Sequence, residues 1–166
     1  MEARIRIGWN KFKQLVPLLS NISLIVRQRL YSSCVRSGLL HRSETWPVRK
    51  ENEVALQRAE MRMLRWMCGI KLKDRVPSKE LRERLGLHDI ISVLQQNKLQ
   101  WYGHVLRKED NDWKKKCVEC EVEGARPTGR PKKTWTDIVQ KDCKARKLNR
   151  EDAMDRNRWR KQIKDD

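Results

Sequence analysis

Bond-making and bond-breaking chemistry needs particular side chains at particular spacings, and few candidates occur in this chain. Two-metal phosphoryl transfer requires paired carboxylates that hold metal ions about 4 Å apart. The only adjacent aspartates are Asp165-Asp166, which follow Lys164 at the C-terminal end with no strand context and read as a tail. A structural zinc site usually shows two close pairs of Cys or His. Cys117-Val-Glu-Cys120 has ligand spacing and His104 or Cys143 could complete a set, but there is no second close pair. Two ordinary cysteines and no metal are therefore expected. His41, His88 and His104 lie far apart with no nucleophile signature beside them. Neither a Gly-rich phosphate loop nor a His-Glu-x-x-His motif occurs. The expectation is a chain without catalytic residues or cofactor.

Binding chemistry is better represented. Leu99-Gln-Trp-Tyr-Gly-His-Val-Leu-Arg107 and Gly129-Arg-Pro-Lys-Lys-Thr-Trp135 each set aromatic rings beside cations. That mixture suits a surface that grips a nucleic-acid backbone while stacking on bases. Gly129-Arg130-Pro131 resembles the centre of an AT-hook, whose extended Arg-Pro segment lies in the minor groove of A·T-rich DNA. Thr128 stands where that motif carries an arginine. Phosphate contact by Arg126, Arg130, Lys132 and Lys133, regardless of base sequence, is the expectation, with a solvated hinge as the alternative.

The formal net charge of +17 is spread along the 166 residues. Residues 1–97 carry 19 basic and 9 acidic groups, and residues 98–166 carry 20 and 13. A diffuse positive field favours polyanions, nucleic acid first and anionic membrane second. No apolar run approaches the roughly 20 residues that span a bilayer, and Met1-Glu-Ala-Arg-Ile-Arg6 lacks the apolar core of a signal peptide. Five irregularly spaced Cys argue against a disulfide framework. An intracellular protein, nuclear or cytoplasmic, with RNA, DNA or hybrid as partner and no membrane partner, is expected.

The elements that must position these groups read as helices. An apolar fraction of 38% supports amphipathic helices rather than a thick buried sheet. The fold class expected is all-α: a bundle of short amphipathic helices, a basic extended linker and a C-terminal helix pair. The segments would be 1–107, 108–134 and 135–166. A first helix is expected over 9–15, stopped near Pro17. A second runs from a Ser23 N-cap to Gly38, with Leu24, Tyr31, Val35 and Leu39 near one face and Arg29, Ser33 and Arg36 on another. In a third, over 51–68, Leu56, Ala59, Met63, Trp66 and Met67 share one arc, opposite Arg58, Arg62 and Arg65. Those arginines suit phosphate contact and would serve equally as a solvated face. Gly69 supplies the stop. Ser78 and Gly86 bracket a short helix, and Asp89 caps one that runs to Arg107. On that helix Ile90, Ile91, Leu94, Trp101, Tyr102, Val105 and Leu106 form a broad apolar face; Lys98 falls inside it and is expected to snorkel outward. Gln100, His104 and Arg107 line its polar face, where His104 could stack on a base or donate to a phosphate. Gly103, mid-helix, points to close approach by another backbone. Two Gly and two Pro within 124–133 predict an extended linker. Thr134 with Asp137, and Asn149 with Asp152, resemble capping boxes that open helices over 135–147 and 150–164.

Six motifs then occur in order: Tyr31-Ser-Ser-Cys-Val-Arg-Ser37, Ser43-Glu-Thr-Trp-Pro47, Arg65-Trp-Met-Cys-Gly69, Leu99-Gln-Trp-Tyr-Gly-His-Val105, Gly129-Arg-Pro-Lys-Lys-Thr-Trp135 and Asp155-Arg-Asn-Arg-Trp-Arg160. This pattern resembles the region after the palm in endonuclease–reverse-transcriptase polyproteins of non-LTR (LINE-type) retrotransposons, from Trp9 onward. The resemblance implies that the first helices match the thumb, which tracks the template–primer duplex, and that the rest is a helical extension. It further implies that the catalytic palm and endonuclease lie outside this sequence, with the palm as a partner, so that Met1 would begin inside a once larger protein. A non-catalytic fragment that grips nucleic acid is the function expected. A helical protein–protein interaction or scaffold module is the alternative.

Overall fold

A computed structural model describes residues 2–46, 48–120 and 134–164. Its fold is all-α, and no strand occurs among the described residues. The α-helices are α1 (Glu2–Leu19), α2 (Leu24–Leu30), α3 (Ser37–Leu40), α4 (Lys50–Cys68), α5 (Ser78–Arg84), α6 (Ile90–Leu106), α7 (Trp113–Glu119), α8 (Trp135–Ala145) and α9 (Arg156–Lys164). The chain divides into two compact units, Met1–Arg42 with Val48–Val93, and Ser43–Pro47 with Leu94–Asp166. The division falls inside α6.

In the first unit, α4 supplies the central apolar surface. Leu56, Met63, Leu64 and Met67 are fully buried, each worth roughly 1.5–3 kcal/mol of apolar transfer. The helix stops at Gly69, whose φ of 67° is left-handed, and the Gly69 and Ile70 N–H groups close the last turn on Trp66 O and Arg65 O. The single phenylalanine is an aromatic hub: Phe12 of α1 meets Trp9, Tyr31 and Trp66 edge-on at 5.8, 6.4 and 5.4 Å. That packing explains why α1 outruns the expected 9–15 and carries Pro17 inside its last turn. Leu19 beyond the proline is fully buried, and Ser20 Oγ donates to Pro17 O at 2.9 Å.

Between α2 and α3 the helix continues as a π turn over Tyr31–Arg36, where the Ser37 N–H reaches back to Ser32 O. The wider i→i+5 turn shifts the downstream register. Arg36 therefore leaves the face it was expected to share with Arg29 and is buried. Its Nε lies 3.3 Å from Glu60 Oε1, and its terminal nitrogen donates to His88 O.

In the second unit, Leu99 and Leu106 of α6, Val139 of α8, Leu148, Ala153, and Trp159 and Ile163 of α9 form one buried cluster. Lys98 does not snorkel. It is 1% exposed, and Nζ lies 3.0 Å from Asp142 Oδ2 of α8, which satisfies both charges inside the fold. The neighbour of Gly103 is a side chain, not a backbone: a Cβ there would overlap Trp159 Nε1 and sit 2.7 Å from its Cδ1. The indole N–H donates to Leu99 O at 3.0 Å.

Two expected boundaries change. Residues 113–119 form α7 within the expected linker, because Asp112 caps it by accepting Lys114 N–H at 2.9 Å, while Lys115 Nζ reaches Asp110 at 2.6 Å and Lys108 O at 3.2 Å. The helix expected over 150–164 breaks at Asp155. A 3-10 turn covers Glu151–Met154, and Asp155 Oδ1 then caps α9 by accepting Asn157 and Arg158 N–H. The Thr134–Asp137 capping box is present in both directions at 3.2 and 2.9 Å.

Candidate nucleic-acid interface

The candidate binding residues occupy very different environments. Arg58, Arg62 and Arg65 sit at i, i+4 and i+7 on α4, across from its buried Leu56 and Met63. Arg58 and Arg62 are exposed and Arg65 half-buried, and none of the three side chains forms an ion pair or hydrogen bond among the described residues. The one carboxylate of α4 beyond its first turn, Glu60, points inward. Arg29 on α2 is likewise exposed with an unpaired guanidinium. These side chains are open to an external anion.

Arg36 is not among them. The π turn puts Tyr31 and Arg36 five residues apart on the same carboxylate: Tyr31 Oη donates to Glu60 Oε1 at 3.4 Å, and Arg36 pairs with the same oxygen. Glu60 is 1% exposed, and its Oε2 has no hydrogen-bond partner. Burial pushes its carboxyl up to about 7, against the opposing pull of Arg36, with Asp89 adding to the rise. Burial also raises the Tyr31 hydroxyl well above the usual phenol range. Arg36 is an interior countercharge here, which corrects its assignment as a surface contact.

In the second unit, Gln100 and His104 are exposed on α6 as expected. Arg107 is half-buried and donates from Nη1 to Ala153 O at 2.6 Å, tying the end of α6 to the 3-10 turn before α9. Partial burial and then nearby Arg156 lower its pKa. Nη1 thus has a structural role. Arg126, Arg130, Lys132 and Lys133, with Gly129-Arg130-Pro131, lie outside the described residues, as do Asp165 and Asp166.

Trp101 and Tyr102 lie on the apolar face expected of them. Trp101 and Tyr102 pack edge-on against Trp135 at 5.1 and 6.1 Å, and Trp135 Nε1 donates to Glu44 O at 2.9 Å. With Trp159 on Gly103, described residues of four of the six sequence motifs (Glu44, Trp101, Tyr102, Gly103, Trp135 and Trp159) meet in the second unit. Two exposed aromatics were missed: Trp66, expected on the apolar arc of α4, is 42% exposed, and Trp113 was not singled out. Trp113 is 68% exposed at the start of α7, with Lys114 Nζ 5.6 Å from its ring centroid. Asn111-Asp112 ahead of an apolar ring is the capping signal that could have placed it there.

Among the described residues no group of three or more His, Cys, Asp or Glu could hold a metal ion. Nor is any described helix long and apolar enough to cross a membrane. Burial raises the Cys143 thiol to about 11, which keeps it protonated beside the core.

No family model matches this chain, and no solved structure matches it. An uncharacterized transposon-derived protein of Caenorhabditis elegans is 26% identical over 146 residues, an alignment that takes in 81% of this chain and 52% of the relative. The chain is similar to a transposon-derived protein. It spans about half the length of that relative.

Proposed function

We propose that the chain is a non-catalytic nucleic-acid-binding part of a transposon-encoded reverse transcriptase of the non-LTR type. The transposon-derived relative and the six ordered motifs support the origin. The observation that carries the binding is the α4 stripe: three arginines on one helix face, no carboxylate paired with them, in a chain of net charge +17. Guanidinium groups donate charge-assisted hydrogen bonds to phosphate oxygens, and each neutralised phosphate releases counterions. Such contact positions a protein on the backbone of RNA, DNA or a hybrid without reading bases. The test is the Arg58→Gln/Arg62→Gln/Arg65→Gln variant. Its affinity for duplexes of unrelated sequence should fall by similar factors, and its salt slope should flatten by up to about 3. Unchanged affinity and slope would return the stripe to a solvated face.

A second reading, a helical protein–protein interaction module, is favoured by exposed apolar residues of the first unit. Leu18 is 60% exposed and Ile25 68%. Binding to an unrelated duplex that is insensitive to salt, or absent, would favour this reading.

A further inference from the structure

We propose that the outward face of α9, formed by Arg160, Lys161 and Lys164, is a second contact surface for a nucleic-acid phosphate backbone. It rests on the nucleic-acid reading above but not on the α4 stripe, which belongs to the other unit. Five of the nine residues of α9 are basic and none is acidic. Trp159 and Ile163 turn inward and are buried, so the helix has a fixed inner side. At 100° per residue Lys161 and Lys164 fall across from that side, Arg160 lies on the flank beside them, and Arg156, exposed at the helix start, lies nearer Ile163. Arg158 lies apart and pairs with Asp152 at 3.0 Å. Asp155, the carboxylate just before α9, is engaged by the Asn157 and Arg158 N–H groups as the cap. Arg156, Arg160, Lys161 and Lys164 have no ion-pair partner among the described residues.

The same protein shows what a solvated helix face looks like. On α5, Lys79 pairs with Glu83 at 4.0 Å and Arg84 with Glu80 at 2.6 Å, both at i, i+4. That arrangement stabilises an exposed helix. On α9, the i, i+4 neighbours Arg156–Arg160 and Arg160–Lys164 are like charges, which destabilise by similar amounts. A local rule broken at Arg160, which has no ion-pair partner among the described residues, is characteristic of a functional surface. The occupant is identified by chemistry. A helix that binds a membrane surface presents Trp, Phe or Leu outward, whereas α9 turns its apolar residues into the core and presents only cations and amides. A polyanion whose charges recur along a flexible line fits that face.

The experiment uses the full chain, fluorescence anisotropy with a labelled RNA–DNA hybrid, and thermal melts of the parent, Arg160→Glu and Arg160→Gln. Arg160→Glu creates two opposite-charge i, i+4 pairs and should raise Tm by about 3 °C. The same variant should weaken hybrid binding severalfold and lower the salt slope by at least about 1. Arg160→Gln, which removes both repulsions, should weaken binding less and raise Tm by about half as much. Opposite signs for stability and affinity are the expected result. A raised Tm with affinity and slope unchanged would overturn the proposal and leave a solvated face. Equal binding of the parent to phosphatidylserine vesicles, weakened alike by Arg160→Glu, would overturn the choice of nucleic acid. The α4 triple variant, measured beside these, separates the two surfaces: loss there with no loss in α9 variants sinks only this proposal, and the converse sinks only the α4 stripe. A parent that binds no hybrid sinks both.

Discussion

Replacing Gly103 by alanine sets two effects of opposite sign against each other. Glycine inside a helix costs about 1 kcal/mol relative to alanine, so on propensity alone Gly103→Ala stabilises α6. The structure says otherwise. The new Cβ would overlap Trp159 Nε1 and lie within 2.9 Å of Cε2 and 2.7 Å of Cδ1, so the indole must move. Trp159 is 2% exposed, packs in the cluster of Leu99, Leu106 and Val139, and donates to Leu99 O. Overpacking a well-filled site costs roughly 1–3 kcal/mol, and losing the indole hydrogen bond adds about 1 kcal/mol. The net expectation is a destabilisation of about 2 kcal/mol, or a Tm lowered by roughly 4–8 °C in a chain of this size. A double-mutant cycle isolates the contact. In a Trp159→Leu background the ring is gone, and Gly103→Ala should turn stabilising by up to about 1 kcal/mol. Thermal melts of the four proteins measure it. Stabilisation by Gly103→Ala in the parent, or an equal effect in both backgrounds, would refute the packing of α9 on α6.

Further outcomes follow from the buried charges. Folding raises the Glu60 carboxyl from about 4.5 to about 7, so the folded state holds a proton that the unfolded state releases. Its stabilising contribution is complete below pH 4.5 and is lost as pH rises through about 7, a loss on the order of 3 kcal/mol. Denaturant melts from pH 5 to 8 should show stability falling, and Glu60→Gln should flatten that part of the profile; a parent profile rising over this range would contradict it. For the Lys98–Asp142 pair, Asp142→Asn strands an ammonium that is 1% exposed and should cost roughly 3–5 kcal/mol. The double variant Lys98→Met/Asp142→Leu should recover most of that loss in the same melts, whereas equal destabilisation by both would mean that the charges are solvated.

The helices on strong apolar periods were legible in the sequence because burial and local caps agree there. The α4 span, its Gly69 stop and the Thr134–Asp137 box follow from spacing and hydrogen-bonding chemistry alone. What was not legible depends on tertiary partners. Arg36 looked like a surface cation until the π turn placed it on Glu60, 24 residues away in sequence. Lys98 met Asp142 from a helix beyond the basic segment, and Gly103 met an indole where a backbone was expected. Trp101 and Tyr102 were legible as apolar-face residues from their helical spacing, whereas Trp135 as their partner ring depends on the tertiary fold. The α4 arginines stand as the sequence placed them, and the α9 face became visible only once Trp159 and Ile163 fixed its inner side.

The central claim, contact with a nucleic-acid backbone, is tested most directly by the salt dependence of binding of the full chain to an RNA–DNA hybrid. Each neutralised phosphate contributes about 0.9 to the slope of log K against log salt, so three α4 contacts alone predict a slope of about −3 or steeper. A linear plot of that slope between about 50 and 300 mM salt, alike for hybrids of unrelated sequence, is the result expected. A slope near zero, or no binding at the lowest salt, would contradict it.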